Sequence, residues 1–432
     1  MDDFDQHEAN CVLQSTMLFD GKARQDEIIR GSWERVNPIN SLGGTRMVEF
    51  LVEGNGDYID LHNCCLQMKI KIKKADNANL DANAAVACIN YPAGTLFEQL
   101  DVYINNELAL SHPHYGYRAI METLLTYGSH AKDTWLQSGL YYKDTGGELD
   151  TLTNVNVGFR RRKEHLTQSR SVELISKIHS DLFNQERMLL NNTDLKLVFT
   201  RQVDDFCLMA ANAENIKIEI EEASLLVRRC KLGLSKDLEI QKRLQTEDAK
   251  YFIPRVQLKT FTYAQGPRNI EIRNFANGRD LPTRLLICMV DNNAFNGQKA
   301  LNPFNFKHYN MSSADILVNG KTVLAKPLSM NMATNEYLQA YWNTMSSLGY
   351  NFKDDGCGIT RNEFNEGYFL LCTDLSATLC GGEYYDPIQT GHLDIELTFS
   401  QALPETVNVI LYMEFNNTIA INKARRVVKN FA

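Results

Sequence analysis

The chain has 432 residues, 44% of them hydrophobic and 23% charged, with 25 Gly and 10 Pro. These values exclude a disordered, collagenous or Pro-rich chain, and a chain this long buries about 75% of its extended surface without needing staples. The formal net charge of -8 argues against a dedicated nucleic-acid binder, which would be basic.

Residues 1–40 stand apart as an N-terminal arm. Asp2, Asp3, Asp5 and Glu8 make its first ten residues acidic, with nothing basic among them. There is no basic n-region followed by an apolar h-region, so a secretory signal is not expected. The longest apolar runs are about six residues, far below the ~20 of a membrane span. Without a signal, the sequons at Asn191, Asn310 and Asn416 read as chance matches.

Strand signals dominate from there on. Leu66–Lys73 alternates strictly between apolar and polar, which needs one buried and one wet face. Leu195–Thr200, Ile216–Glu221 and Leu393–Phe399 do the same. Asn-, Gly- and Asp-rich loops separate them, as in sandwiches and barrels. Helical patterns are few. Tyr117–Tyr127 is one, stopped by Gly128. A second spans about Lys236 to Ala249, with Ser235 as the expected cap and Asp237 and Glu239 in its first turn.

One pattern occurs twice. Asp101–Leu110 and Asp315–Leu324 are each strand, turn, strand, with Asn105-Asn106 and Asn319-Gly320 at the turns. Asn-Gly in particular predicts a type I′ turn with positive φ at both positions. A helix-like stretch ending in glycine follows each hairpin, aligning Ala119 with Ala340, Thr123 with Thr344 and Gly128 with Gly349. Paired strands close each half. The expected organisation is an arm (1–40), a first β-domain (41–233), a linking helix (234–250) and a second β-domain (251–432) ending in a basic tail.

Chemical motifs fail on inspection. Gly320-Lys321-Thr322 has Asp315 where a P-loop needs glycine, and it sits in a hairpin. Gly54-Asn55-Gly56 and Gly356-Cys357-Gly358 lack the third glycine of a dinucleotide fingerprint. His112-Pro113-His114 resembles the first cupin metal motif, but Asn106 replaces its glycine, and Pro113 removes a strand donor; a loop preceding a helix is the expectation. Asp204-Asp205 and Asp354-Asp355 read as solvated loop acids. Ten cysteines without a C-x-x-C, mostly among apolar residues, read as reduced, buried thiols of a cytosolic or nuclear protein.

Two basic clusters remain. Arg160-Arg161-Arg162-Lys163 either grips phosphate or a neighbouring subunit, or is a solvated charged loop. Lys423, Arg425, Arg426 and Lys429 make the last ten residues purely basic. Opposite-sign tails pair between neighbouring copies, or stand as two solvated ends. Deletion of 423–432 is expected to spare oligomer formation and impair higher assembly.

A family resemblance completes the reading. Phe295-Asn-Gly297, Asn302-Pro-Phe-Asn-Phe306, His308 and Val318-Asn-Gly320 resemble the second-half signature of the double jelly-roll major capsid proteins of Polinton/Maverick elements and adintoviruses. In the first half, Leu96–Asn106, Tyr117-Arg118, Glu122–Leu125, Tyr127-Gly128 and Leu140–Asp144 are similar in order and spacing, as is Leu225–Arg229. The resemblance runs from about Met47 to Phe415. It implies an all-β fold of two tandem eight-stranded jelly rolls with a few short helices. It also implies a homotrimeric, pseudo-hexameric capsomer in an icosahedral shell, without enzymatic activity or a cofactor. The implied partners are neighbouring capsomers, a single jelly-roll penton protein and packaged double-stranded DNA without sequence-specific contact. The implied location is the virion, assembled in the host cytoplasm or nucleus. Against it stand a β-sandwich glycan-binding protein and a cupin-like metalloenzyme using His112 and His114.

Overall fold

The computed structural model describes residues 25–43, 46–276, 280–379 and 386–431. The first half supplies β1 (Ile28–Val36), β2 (Met47–Val52), β3 (Tyr58–Lys74) and β4 (Phe97–Ile104). It continues with β5 (Glu107–Pro113), β6 (Val172–Lys177), β7 (Leu195–Arg201) and β8 (Ile216–Leu232). The second half supplies β9 (Ala249–Tyr263), β10 (Asn269–Ile272), β11 (Arg284–Asp291) and β12 (Met311–Val318). Then come β13 (Lys321–Thr322), β14 (Leu371–Asp374), β15 (Leu393–Phe399), β16 (Val407–Ile421) and β17 (Val427–Lys429).

The sheet orders prove the duplication. The first half forms sheets β1-β8-β3-β6 and β2-β7-β4-β5. The second forms β9-β16-β11-β14 and β10-β15-β12-β13. Subtracting eight from each label in the second half returns the first. Both halves are therefore eight-stranded jelly rolls, two four-stranded antiparallel sheets face to face. The second adds β17 beside β16, and Leu328–Ser329 beside β12.

Alternation explains the faces. Leu66, Met68, Ile70 and Ile72 of β3 point into the core, and Ile70 and Ile72 pair with Ile220 and Ile218 of β8. The lysines between them face out, where Lys71 meets Glu221 at 2.5 Å and Glu219 at 3.6 Å. Both hairpin turns have the expected hand: φ is 47° and 64° at Asn105-Asn106 and 51° and 75° at Asn319-Gly320.

Four helices matter below: α1 (Tyr115–Thr126), α2 (Val157–Leu166), α3 (Leu234–Arg243) and α4 (Leu338–Ser347). α1 and α4 follow the two hairpins at equivalent points. The aligned Ala119, Ala340, Thr123 and Thr344 are all buried, because small residues let each helix sit close on its sheet.

Three boundaries differ from the sequence reading. Ile28–Val36, assigned to the arm, is the edge strand β1, paired along β8. Most of its residues are exposed, so it carries no alternation to read. The linking helix ends at Arg243, and β9 begins at Ala249. Gly233, not Ser235, is its N-cap, and Leu238 within it is 58% exposed. The basic tail contains a strand, β17.

Candidate functional site: the junction of the two jelly rolls and the basic segments

The Asn302–Phe306 stretch is where the halves lock. Asn302 is fully buried; its side-chain amide donates to Asp144 Oδ2 at 3.1 Å and to the Leu149 carbonyl at 3.2 Å. Its backbone N–H donates to Asp150 Oδ1 at 2.7 Å, and Asn305 donates to Asp150 Oδ2 at 2.7 Å. Phe304 and Phe295 pack on Tyr117 of α1, Phe295 stacked at 5.4 Å and Phe304 edge-on at 5.6 Å. Phe206 closes the cluster, 6.0 Å from Phe304. Gly297 takes φ 95° there, and a Cβ on it would lie 2.9 Å from the Phe206 backbone nitrogen.

Asp144 joins this lock to α2. Arg162, also fully buried, meets Asp144 Oδ1 at 2.7 Å and donates to the carbonyls of Cys88 at 2.8 Å and Tyr142 at 2.6 Å. A buried guanidinium is tolerated only with such complete pairing.

A second buried network lies under α1. Arg118 meets Glu122 Oε1 at 2.7 Å and Asp181 Oδ1 at 2.6 Å, and donates to His112 Nδ1 at 2.8 Å. His112 is thereby assigned its proton on Nε2, which donates to Ser180 Oγ at 2.8 Å. His179 donates from Nδ1 to Glu122 Oε2 at 2.7 Å and accepts from the Tyr91 hydroxyl at 3.1 Å. The network crosses to the second half where the Val256 N–H of β9 donates to Asp181 at 3.1 Å.

Burial dominates its electrostatics. It lowers both histidines, His112 farther with Arg118 beside it, so both are neutral at pH 7. Burial raises Glu122 too, but Arg118 and the His179 hydrogen bond outweigh it and hold the carboxyl far below its usual range. At Asp181 burial prevails over Arg118 and the pKa is raised.

The expected site residues fall into different places. Arg160-Arg161-Arg162 lies on a helix, not a loop. Asn156 caps it, accepting from the Phe159 N–H at 3.2 Å. Phe159, Arg162 and Leu166 form its buried side, so Arg162 cannot grip an outside phosphate. Arg160 and Arg161 lie 3.9 and 3.6 Å from Glu164. In the tail, Lys423 and Arg426 are exposed. Arg425 turns inward, donating to Asn191 at 3.0 Å and Gln241 at 3.2 Å, and Lys429 donates to the Leu108 carbonyl at 2.7 Å.

His112 closes strand β5 rather than sitting in a loop, and both its ring nitrogens are engaged within the protein, leaving none for a metal. Asp204-Asp205 opens a short helix, with Asp204 on Arg201 at 2.8 Å and Asp205 on Lys299 at 3.0 Å. The eight described cysteines are free thiols; Cys11 and Cys380, like Asp2, Asp3, Asp5 and Glu8, lie outside the described residues. Burial pushes the Cys64 and Cys88 thiols up to about 12. Among the described residues no helix is long and apolar enough to cross a membrane.

The two networks have no sequence motif because their members are far apart in the chain. Only the Arg118–Glu122 spacing, i to i+4 on a helix, carried a local signal.

No protein-family model matches the chain. An uncharacterized protein of Caenorhabditis elegans is 25% identical over 415 residues, covering 92% of this chain and 96% of that one. Among solved structures, a chain of the Sputnik virophage is similar with a TM-score of 0.66 at 11% identity, covering 97% of this chain and 92% of that one. The mavirus major capsid protein is similar with a TM-score of 0.55 at 10% identity, covering 98% of this chain and 94% of that one. The Faustovirus major capsid protein gives 0.54 at 9%, covering 93% and 92%. The chain has the double jelly-roll fold of these viral major capsid proteins.

Proposed function

We propose that this chain is a structural shell protein, the major capsid protein of a Polinton-like or adintovirus-like element. The observation that carries the reading is the pair of jelly rolls with one strand order, locked by buried networks, in a fold shared with viral capsid proteins over nearly the whole chain. Each chain supplies two similar lobes, and three chains under closed three-fold symmetry supply six, a pseudo-hexagonal tile. Such a tile needs rigid sandwiches and large lateral faces rather than a reaction centre. In this role its partners are further copies, a single jelly-roll penton protein at the five-fold vertices, and enclosed double-stranded DNA without base-specific contact. Its place is the virion, assembled in the host cytoplasm or nucleus.

Light scattering of the purified chain, with negative-stain images of the same peak, tests this. Three times the chain mass with hexagonal outlines is the expected result. A monomer or dimer without such outlines, under conditions that preserve the fold, overturns the trimeric capsomer.

A further inference from the structure

A groove runs between the halves, where edge strand β5 of the first jelly roll faces edge strand β9 of the second. It encloses a cavity of about 410 Å³ beside a wider one of about 770 Å³, and the two share Arg255, Gln257, Lys429 and Phe431. Arg118 and Asp181 lie at its floor, and Asp181 Oδ2 is buried with no hydrogen-bond partner.

The groove is built to hold an anion at Arg255. Its guanidinium packs against two aromatic rings, 4.5 Å from the Phe415 centroid and 4.8 Å from Phe431. Its Nε is fixed on Asn417 Oδ1 at 2.7 Å. The two terminal nitrogens make no hydrogen bond among the described residues, and neither Arg255 nor Lys429 has a carboxylate within 4.0 Å there. Burial lowers both groups and outweighs the acids nearby, Asp181 and Asp280 for Arg255 and Glu107 for Lys429. A flat guanidinium packed on aromatic rings with its fork open suits a carboxylate.

We propose that this groove receives the acidic segment Asp2–Glu8 of the chain, its carboxylates on Arg255 and Lys429. Charge complementarity favours this occupant: four acids and no base in one, and in the other Arg255 and Lys429, which form no close ion pair among the described residues although Asp181 and Asp280 also line the groove. Reach allows it. Residues 1–24 span up to ~80 Å when extended. The described chain starts beside α3, where Glu27 meets Lys236 at 3.0 Å, and the same helix holds Arg425 through Gln241 at 3.2 Å. From Lys236 to Gln241 the helix rises ~8 Å, and from Arg425 to Lys429 the tail runs ~13 Å. The segment therefore reaches the groove of its own copy, with length left over for a neighbouring one.

The test is zero-length carbodiimide cross-linking of the full chain, read by peptide mass spectrometry on a mixture of light and heavy isotope-labelled protein. Cross-links from Asp2, Asp3, Asp5 or Glu8 to Lys429 or Lys259 are expected, within one copy or between two. Arg255→Glu should lower their yield about tenfold, while the exposed Lys74–Asp81 pair, 3.0 Å apart, still cross-links and reports an intact fold. The quadruple variant Asp2→Asn, Asp3→Asn, Asp5→Asn, Glu8→Gln changes none of the described residues and should leave Lys429 reactive toward an amine-directed label. No cross-link to the segment while Lys74–Asp81 forms, or a yield indifferent to Arg255→Glu, overturns the proposal. So does protection of Lys429 by added duplex DNA and not by the segment, which would make the occupant a polyphosphate.

Discussion

Asn302 of the second jelly roll donates a hydrogen bond to Asp144 of the first at 3.1 Å, and the other oxygen of that carboxylate holds the buried Arg162 at 2.7 Å. One amide of the second half thus docks on a charge pair that the first half completes by itself. Asp144→Asn leaves the guanidinium buried without its carboxylate and should cost about 3–5 kcal/mol. Asn302→Ala leaves Asp144 its ion pair and should cost about 1–3 kcal/mol. Urea unfolding of both variants checks the order, and an Asn302→Ala cost equal to or above that of Asp144→Asn would contradict the link as described.

Two glycines with positive φ separate backbone strain from crowding. Gly320, at φ 75°, has open space where a Cβ would be, so Gly320→Ala carries only the left-handed penalty of about 1 kcal/mol. Gly297, at φ 95°, would set its Cβ 2.9 Å from the Phe206 backbone of the other jelly roll. Gly297→Ala should therefore cost more than Gly320→Ala by about 1–3 kcal/mol. Thermal unfolding of the two side by side gives the comparison, and equal losses would mean that the junction yields freely at Phe206.

The strands were legible because alternation is a local signal. Leu66–Lys73 shows its buried and wet faces residue by residue, and Asn319-Gly320 announces its own turn. What stayed hidden was decided by tertiary pairing. Arg162 occupies a position that the helix periodicity reserves for an apolar side chain, so a run of three arginines read as solvated. β1 hid for the opposite reason, since an exposed edge strand has no inner face to mark. The tail read as a cationic end because Arg425 and Lys429 find their partners, Asn191, Gln241 and the Leu108 carbonyl, hundreds of residues away. The Asn302–Phe306 stretch carries the family resemblance, while its physical task, capping Asp144 and packing on Tyr117, is set only in three dimensions.

The Arg118 network sets a pH dependence. Burial holds the folded pKa values of His112 and His179 below their ordinary value of 6.5. Below pH 6.5 the unfolded chain therefore binds more protons than the folded one, and stability falls as pH falls, by up to about 1.4 kcal/mol per pH unit per histidine. Protonated His112 would also turn an N–H against Arg118, its present donor. Glu122, held low, adds to the loss below about pH 4.5, whereas Asp181, raised, partly offsets it because its folded form takes up a proton more readily. Lys177 adds like charge near His179 and favours its neutral form. Urea midpoints at pH 7, 6 and 5 should decline steadily, and His112→Gln with His179→Gln should flatten the slope. A slope that the double variant leaves unchanged would place the acid sensitivity elsewhere.

The C-terminal segment binds the body of its own chain. Ile419–Ile421 of β16 pairs with Val427–Lys429, which extends the second jelly roll. From there the segment reaches the first: Asn105 donates to the Arg425 carbonyl at 2.7 Å, the Val427 N–H donates to Glu107 at 3.1 Å, and Lys429 donates to the Leu108 carbonyl at 2.7 Å. A purely electrostatic tail would leave chain stability unchanged when removed. These contacts instead predict that deleting residues 423–432 destabilises the isolated chain by about 2–4 kcal/mol, at about 0.5 kcal/mol per hydrogen bond lost, the low end because several are exposed, with the strand and the Arg425 contacts included. Hydrogen exchange should quicken at the Asn105-Asn106 hairpin and along the end of β16. Neutralising only the exposed Lys423 and Arg426, as Lys423→Gln with Arg426→Gln, should leave both measurements near wild type. If the charge variant weakens assembly while the deletion leaves denaturant stability intact, the segment is an assembly tail and the staple is refuted.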